Sequence, residues 1–144
     1  MALAENRKAR FDYEILKTFA AGIELLGLEV KSVRDGKISL AGAFIAIRGG
    51  EAFLIGADIP PYQPKNAPQE YDATRARKLL LSQAEIEELR DAESTKGLTI
   101  VPLSVYNKGR FLKLDLAIAR GKKKFDKRQA IKKRDVEREL KREL

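Results

Sequence analysis

The chain contains no cysteine, no histidine and no tryptophan. The first two absences exclude disulfides, thiolate nucleophiles, histidine general bases, serine–histidine–aspartate triads and nearly every zinc site. No apolar run approaches the ~20 residues that cross a bilayer as a helix. Residues 1–10, MALAENRKAR, lack the apolar centre of a secretory signal. Glycine-rich phosphate loops of the GxxxxGK[ST] or GxGxxG type are also missing. The reading is a protein of the cytoplasm, without cofactor, metal or membrane partner.

What is present is charge, unevenly placed. The 144 residues carry 29 Lys+Arg against 21 Asp+Glu, a net of +8. Residues 120–144 hold 12 cationic and 5 anionic side chains, a net of +7, whereas residues 1–119 are within one charge of neutral. A cationic tail on a neutral body points to a polyanion, and nucleic acid is the usual one. The chain therefore divides into a body, 1–119, and a basic tail, 120–144. The tail has too few apolar residues to offset its ordering entropy. It is expected to be disordered when free and helical when docked.

The body reads as short strands with few helices. Residues 1–10 form a polar, basic arm without periodicity. FDYEILKTFAAGIELLG reads as two strands or one bent strand, interrupted at Ala20, Ala21 and Gly22. Leu26, Val30 and Val33 have helical spacing, with Gly36 as the stop. AFIAIR and EAFLIG around Gly49-Gly50 form a hairpin. Residues 59–72 hold four of the five prolines and must be a loop, with Asp72 capping a helical turn after it. Ser82 and Glu85 form a capping box that starts a helix over about 83–94. LTIVPLSVY and RFLKLDLAI complete the body. In the second of these, Leu112, Leu114, Leu116 and Ile118 face one side and Lys113 and Asp115 the other. Pro102 marks an edge or bulge in the first. The pattern is mainly β: a six-stranded OB-type barrel with about three helices, a fold that binds RNA on an outer face.

Catalytic candidates are weak. Asp12 and Glu14 would share a strand face, but metal nucleases gather three or more acids. Glu85, Glu87 and Glu88 read as a solvated helix surface. Binding features are stronger. Arg75, Arg77 and Lys78 form a second basic cluster, and Arg7, Lys8 and Arg10 a third. Tyr62 and Phe125 are aromatic platforms on which bases could stack.

Several motifs occur in one order along the chain: Asn6-Arg-Lys-Ala-Arg10, Asp12-Tyr13, Ala21-Gly22-Ile23, Glu29-Val-Lys-Ser-Val-Arg34, Thr74-Arg-Ala-Arg-Lys-Leu-Leu-Leu81, Gly97-Leu-Thr-Ile-Val-Pro-Leu103, Ala119-Arg-Gly-Lys-Lys123 and Asp126-Lys-Arg128. Together they resemble the SmpB family, the SsrA-binding proteins of bacterial trans-translation. The resemblance implies a non-catalytic protein, monomeric when bound to RNA, that binds the tRNA-like domain of transfer-messenger RNA. It implies a tail that enters the decoding region and empty mRNA channel of a stalled ribosome. It carries RNA binding to Asn6, Glu29, Lys31 and Leu80, with Glu29 alternatively ordering the local backbone. It carries ribosome binding to Gly121, Lys122, Lys123, Phe125, Asp126, Lys127 and Arg128. Two departures matter most: Ala20 stands where the family commonly has Glu, and Phe125 where many members have Tyr or His. Phe11 also replaces a frequent His. The rival readings are a structural ribosomal RNA-binding protein of OB type and a small RNA-processing enzyme using Asp12 and Glu14.

Overall fold

The backbone of the fold is a long hairpin. β6 (Leu98–Lys108) and β7 (Phe111–Gly121) pair antiparallel along almost their whole length. Gly109, at φ +62, supplies the turn between them. The alternation read from RFLKLDLAI is realised. Leu112, Leu114, Leu116 and Ile118 are buried, while Lys113 and Asp115 lie half-buried on the opposite face. The computed structural model describes residues 2–63 and 70–122, so the tail residues Lys123, Phe125, Asp126, Lys127 and Arg128 lie outside it.

Around this hairpin the ladder runs β1-β6-β7-β2-β5-β4-β3, antiparallel throughout. The other strands are β1 (Ala2–Glu5), β2 (Tyr13–Ile23), β3 (Phe44–Arg48), β4 (Glu51–Ile55) and β5 (Arg77–Leu80). The sheet curls until β3 lies against β6. Among the described residues the hydrogen-bonded ladder still ends at β1 and β3. Among the described residues three helices complete the fold: α1 (Arg7–Asp12), α2 (Gly27–Arg34) and α3 (Gln83–Glu93).

The fold class is as expected, mainly β with three helices, but the ladder has seven strands rather than six. β2 is one strand rather than two, and β5 and β1 are strands the sequence reading did not include, β1 lying in the arm read as without periodicity. That arm pairs with β6 and then turns into α1. Four residues of strand and six of helix are too short to show periodicity. Tertiary contacts stabilise them, since Ala9 packs with Val101, Leu103, Ala117 and Ala119 on the outer side of the β6–β7 hairpin.

β2 is one strand with a bulge between Ile15 and Lys17, continuous through Ala20–Gly22 because β7 pairs with it there and β5 joins at Gly22. Pro102 sits at the register shift between β6 and β7, as its missing N–H requires. α2 ends at Arg34 and Gly36 takes φ +75 beyond it. Leu26 precedes the helix and is exposed, so the buried stripe rests on Val33 with Val30 beside it. Gly49 and Gly50 turn the β3–β4 hairpin at φ +58 and +76. α3 opens on the Ser82–Glu85 box, with Ser82 Oγ accepting from Glu85 N–H at 3.2 Å and Glu85 Oε1 from Ser82 N–H at 3.0 Å.

Asp72 caps a turn rather than a helix. Its carboxylate accepts from the Thr74 N–H and hydroxyl, both at 2.9 Å, and the chain then enters β5. The main core lies inside the curl, where Leu54, Ile59, Leu79, Leu89, Ile100, Leu114 and Leu116 are closed to solvent.

Candidate nucleic-acid interface

Glu29 is the third residue of α2 and is fully buried. At that position a carboxylate folds back on the helix start, and Glu29 Oε1 accepts from the Leu26 N–H at 2.8 Å. Both edges of the same carboxylate are then filled from β5 and the segment before it. Arg77 donates to Oε2 through Nε at 3.1 Å and Nη2 at 2.6 Å. Arg75 donates through Nε at 3.1 Å and through Nη2, which is in close contact with Oε1. The Tyr71 hydroxyl donates to the Ile59 carbonyl at 2.6 Å, lies 3.1 Å from Oε2, and accepts from Arg77 Nη2 at 3.3 Å.

Burial pushes the Glu29 carboxyl up, but the donors from Arg75, Leu26 and Arg77 outweigh it and hold it at about 2. The same site pushes the Tyr71 hydroxyl up, through burial and then the Glu29 charge. One carboxylate thus faces two guanidiniums, leaving a net positive charge. Arg75, 32% exposed, brings that charge to the surface.

This geometry corrects one expectation. Arg77 is not a phosphate contact in this structure, because its side chain is fully buried and Nη1 also donates to the Ala57 carbonyl at 2.8 Å. Of the two roles weighed for Glu29, the geometry matches the ordering of the backbone around it. Asn6 is likewise inward. It caps α1, accepting from the Ala9 N–H at 3.2 Å and donating to the Pro102 carbonyl at 3.0 Å beside the β6 bulge.

The remaining cations fall at the two ends of β2. At its start, Tyr13 pairs with Gly121. There α1 exposes Arg7, Lys8 and Arg10, and Lys122 joins them, its N–H donating to the Asp12 carbonyl at 2.9 Å and its Nζ to the Arg10 carbonyl at 3.5 Å. The arm and the root of the tail are therefore one surface. β7 reaches Gly121, past the body–tail division at 119. Asp12 ends α1 and Glu14 faces Arg120 at 3.9 Å, so these two acids do not share a strand face.

At the far end of β2, Gly22 pairs with Leu80 on one side and Lys113 on the other. Nine residue steps separate Tyr13 from Gly22, about 30 Å of strand. Leu80 is half exposed and crosses Gly22 closely: a Cβ on that glycine would lie 3.2 Å from the Leu80 Cβ. Lys78 reaches Glu51 at 3.1 Å, and Lys31 lies 5.9 Å above the Tyr62 ring. This end also presents Phe111, 70% exposed, with Arg110, Lys113 and Arg34 around it. Sequence reasoning passed over Phe111, although the alternation of β7 sets it on the polar face with Lys113.

No group of acids or other ligands able to hold a metal occurs among the described residues, and none of their helices is long and apolar enough to cross a membrane. A curled antiparallel sheet with cationic surfaces at both ends of one strand and apolar side chains exposed at one of them is the build of a polyanion-binding module. The comparisons with known proteins are more specific. The SmpB family model, described as "SmpB protein", matches residues 3–144. An SsrA-binding protein of Synechococcus sp. (strain JA-3-3Ab) is 52% identical over 143 residues, 99% of this chain and 92% of that protein. One from Coprothermobacter proteolyticus is 49% identical over 142 residues, 98% and 95% of the two chains. A solved structure described as "tmRNA-SmpB: a journey to the center of the bacterial ribosome" matches with TM-score 0.70 and 44% identity, over 89% of this chain and 93% of that one. The chain belongs to the SmpB family.

Proposed function

We propose that the chain binds transfer-messenger RNA at its tRNA-like domain and delivers it to stalled ribosomes for trans-translation. The observation that carries this reading is the family match, which continues through the cationic tail to residue 144. The geometry supports a division of labour. The end of β2 that presents Leu80, Lys78, Lys31 and Arg75 faces the RNA. The end that gathers Arg7, Lys8, Arg10, Gly121 and Lys122 leads into the tail, and Lys123, Phe125, Asp126, Lys127 and Arg128 enter the decoding region and empty mRNA channel. Arg77 and Glu29 serve the first of these surfaces by fixing its backbone, and Asn6 serves the second by capping α1. The protein acts in the cytoplasm by binding, not by catalysis, and needs no cofactor.

The test is to purify the protein from cells and sequence the RNA that accompanies it. One dominant transfer-messenger RNA is the expected result. Ribosomal RNA recovered equally from cells lacking transfer-messenger RNA would overturn the reading in favour of a structural ribosomal protein.

A further inference from the structure

We propose that in the free protein the groove between α1 and the start of β3 seats the ring of Phe125, a resting place for the root of the tail. The groove has a volume of about 310 Å³, at the low end of sites that enclose one small group. Its lining comes from three parts of the chain: Ala9 and Tyr13 on α1 and the start of β2, Ala43 and Phe44 around the start of β3, and Thr99 and Val101 on β6. Phe44, 45% exposed, leaves apolar surface open to solvent at its edge.

The tail starts at the rim of this groove. Lys122 is tied to α1, its N–H donating to the Asp12 carbonyl at 2.9 Å and its Nζ to the Arg10 carbonyl at 3.5 Å. Asp12 is itself one of the lining residues, and Thr99 pairs across the β6–β7 ladder with Ala119, three residues before Lys122. Phe125 lies three residues beyond Lys122, a reach of at most ~10 Å. It is the first apolar residue after Lys122 and the only aromatic one in residues 123–144.

Charge selects the same occupant. The groove carries one carboxylate, Asp12, and one ammonium group, Lys8. Phe125 is flanked by one of each, Lys124 before it and Asp126 after it. With the ring seated, Lys124 meets Asp12 and Asp126 meets Lys8. A nucleotide matches less well, because its phosphate would face the Asp12 carboxylate. The seat is shallow. Burying one ring is favourable, but ordering the residues that lead to it costs a comparable amount. Arg7 and Arg10 on α1 also repel the tail's lysines. The short tether populates the contact, since a ligand so linked acts at an effective concentration of about millimolar. That the ring leaves this seat for the decoding region rests on the proposed function; the seat itself does not.

Phe125→Trp gives the full-length chain, which has no tryptophan, a single fluorophore of that kind. In the protein without RNA its emission should lie to the blue of the guanidinium-denatured chain and resist acrylamide quenching. Lys8→Glu or Asp126→Lys alone should lose that protection, and the two together should restore it, as a direct charge pair requires. The unaltered ring is read separately, by nuclear Overhauser contacts from Phe125 to the Ala43 and Val101 methyl groups. Quenching as fast as in the denatured chain, with no such contacts, overturns the seat. Protection that neither charge reversal alters also overturns it, since the ring is then buried elsewhere. Protection that grows with protein concentration overturns it in favour of the tail of a neighbouring copy. Protection lost on dilute pocket variants but retained when the protein binds stalled ribosomes supports the seat and overturns the tail's role in the proposed function.

Discussion

Glu29 and Arg77 form an ion pair in which neither side chain is exposed to solvent. The pair joins α2 to β5, and Arg75, Tyr71 and Leu26 complete it from neighbouring segments. A buried charge stripped of its partner retains its desolvation cost, so breaking such a pair is far more damaging than replacing it whole. Arg77→Met should therefore destabilise the fold by about 3–5 kcal/mol. Denaturant titration measures this. The salt slope of RNA binding, read on the folded fraction, should not change.

Acid should reveal the same junction. The Glu29 carboxyl sits at about 2 in the fold and near 4.5 when unfolded. Its stabilisation is complete above about pH 4.5 and is lost as pH falls towards 2. The gap corresponds to roughly 3 kcal/mol. Urea midpoints taken between pH 6 and pH 2.5 should fall steeply for the unaltered protein and more shallowly for Glu29→Gln. Equal slopes would remove Glu29 as the acid-sensitive group.

Asn6→Ala removes the α1 cap and the amide that satisfies the Pro102 carbonyl. A loss of about 1–2 kcal/mol is expected. If Asn6 is structural, calorimetry should show the loss while RNA affinity per folded molecule stays within the spread of repeated measurements. A large affinity drop at unchanged melting temperature would instead make it a direct contact.

Arg7, Lys8 and Arg10 project from α1 beside Lys122. Replacing any one that meets a phosphate should flatten the salt dependence of ribosome association by about 0.7–0.9 in log–log slope. A chain ending at Lys122 keeps all of β7, so it should fold, bind transfer-messenger RNA and fail to support tagging on stalled ribosomes. Normal tagging by that truncated chain would dissociate the tail from the activity.

Much of the fold was legible because local rules and tertiary structure agree. The Gly49-Gly50 hairpin, the Ser82 capping box, the Pro102 irregularity and the alternating β7 all depend on neighbours within a few residues. β1 and α1 were not legible, because what stabilises them is the far strand β6 and a cluster supplied by β6 and β7. The site was legible in composition more than in geometry. Arg75, Arg77 and Lys78 read as one basic cluster, but β5 alternation turns Arg77 inward towards a carboxylate 48 positions away in the chain. No local pattern pairs Glu29 with Arg77. Phe111 could have been found, since an aromatic residue at a polar-face position of a clean alternation has no core to fill.

The β2–β7 pairing has a mechanical meaning. The two cationic surfaces sit at the ends of β2, and nine residue pairs run between them. Antiparallel hydrogen bonds lie perpendicular to the strand axis. A force pulling the two surfaces apart along β2 therefore loads these rungs in shear, and all of them share it at once. Bending could not relax such a load, and peeling one rung at a time would require a pull from a different direction.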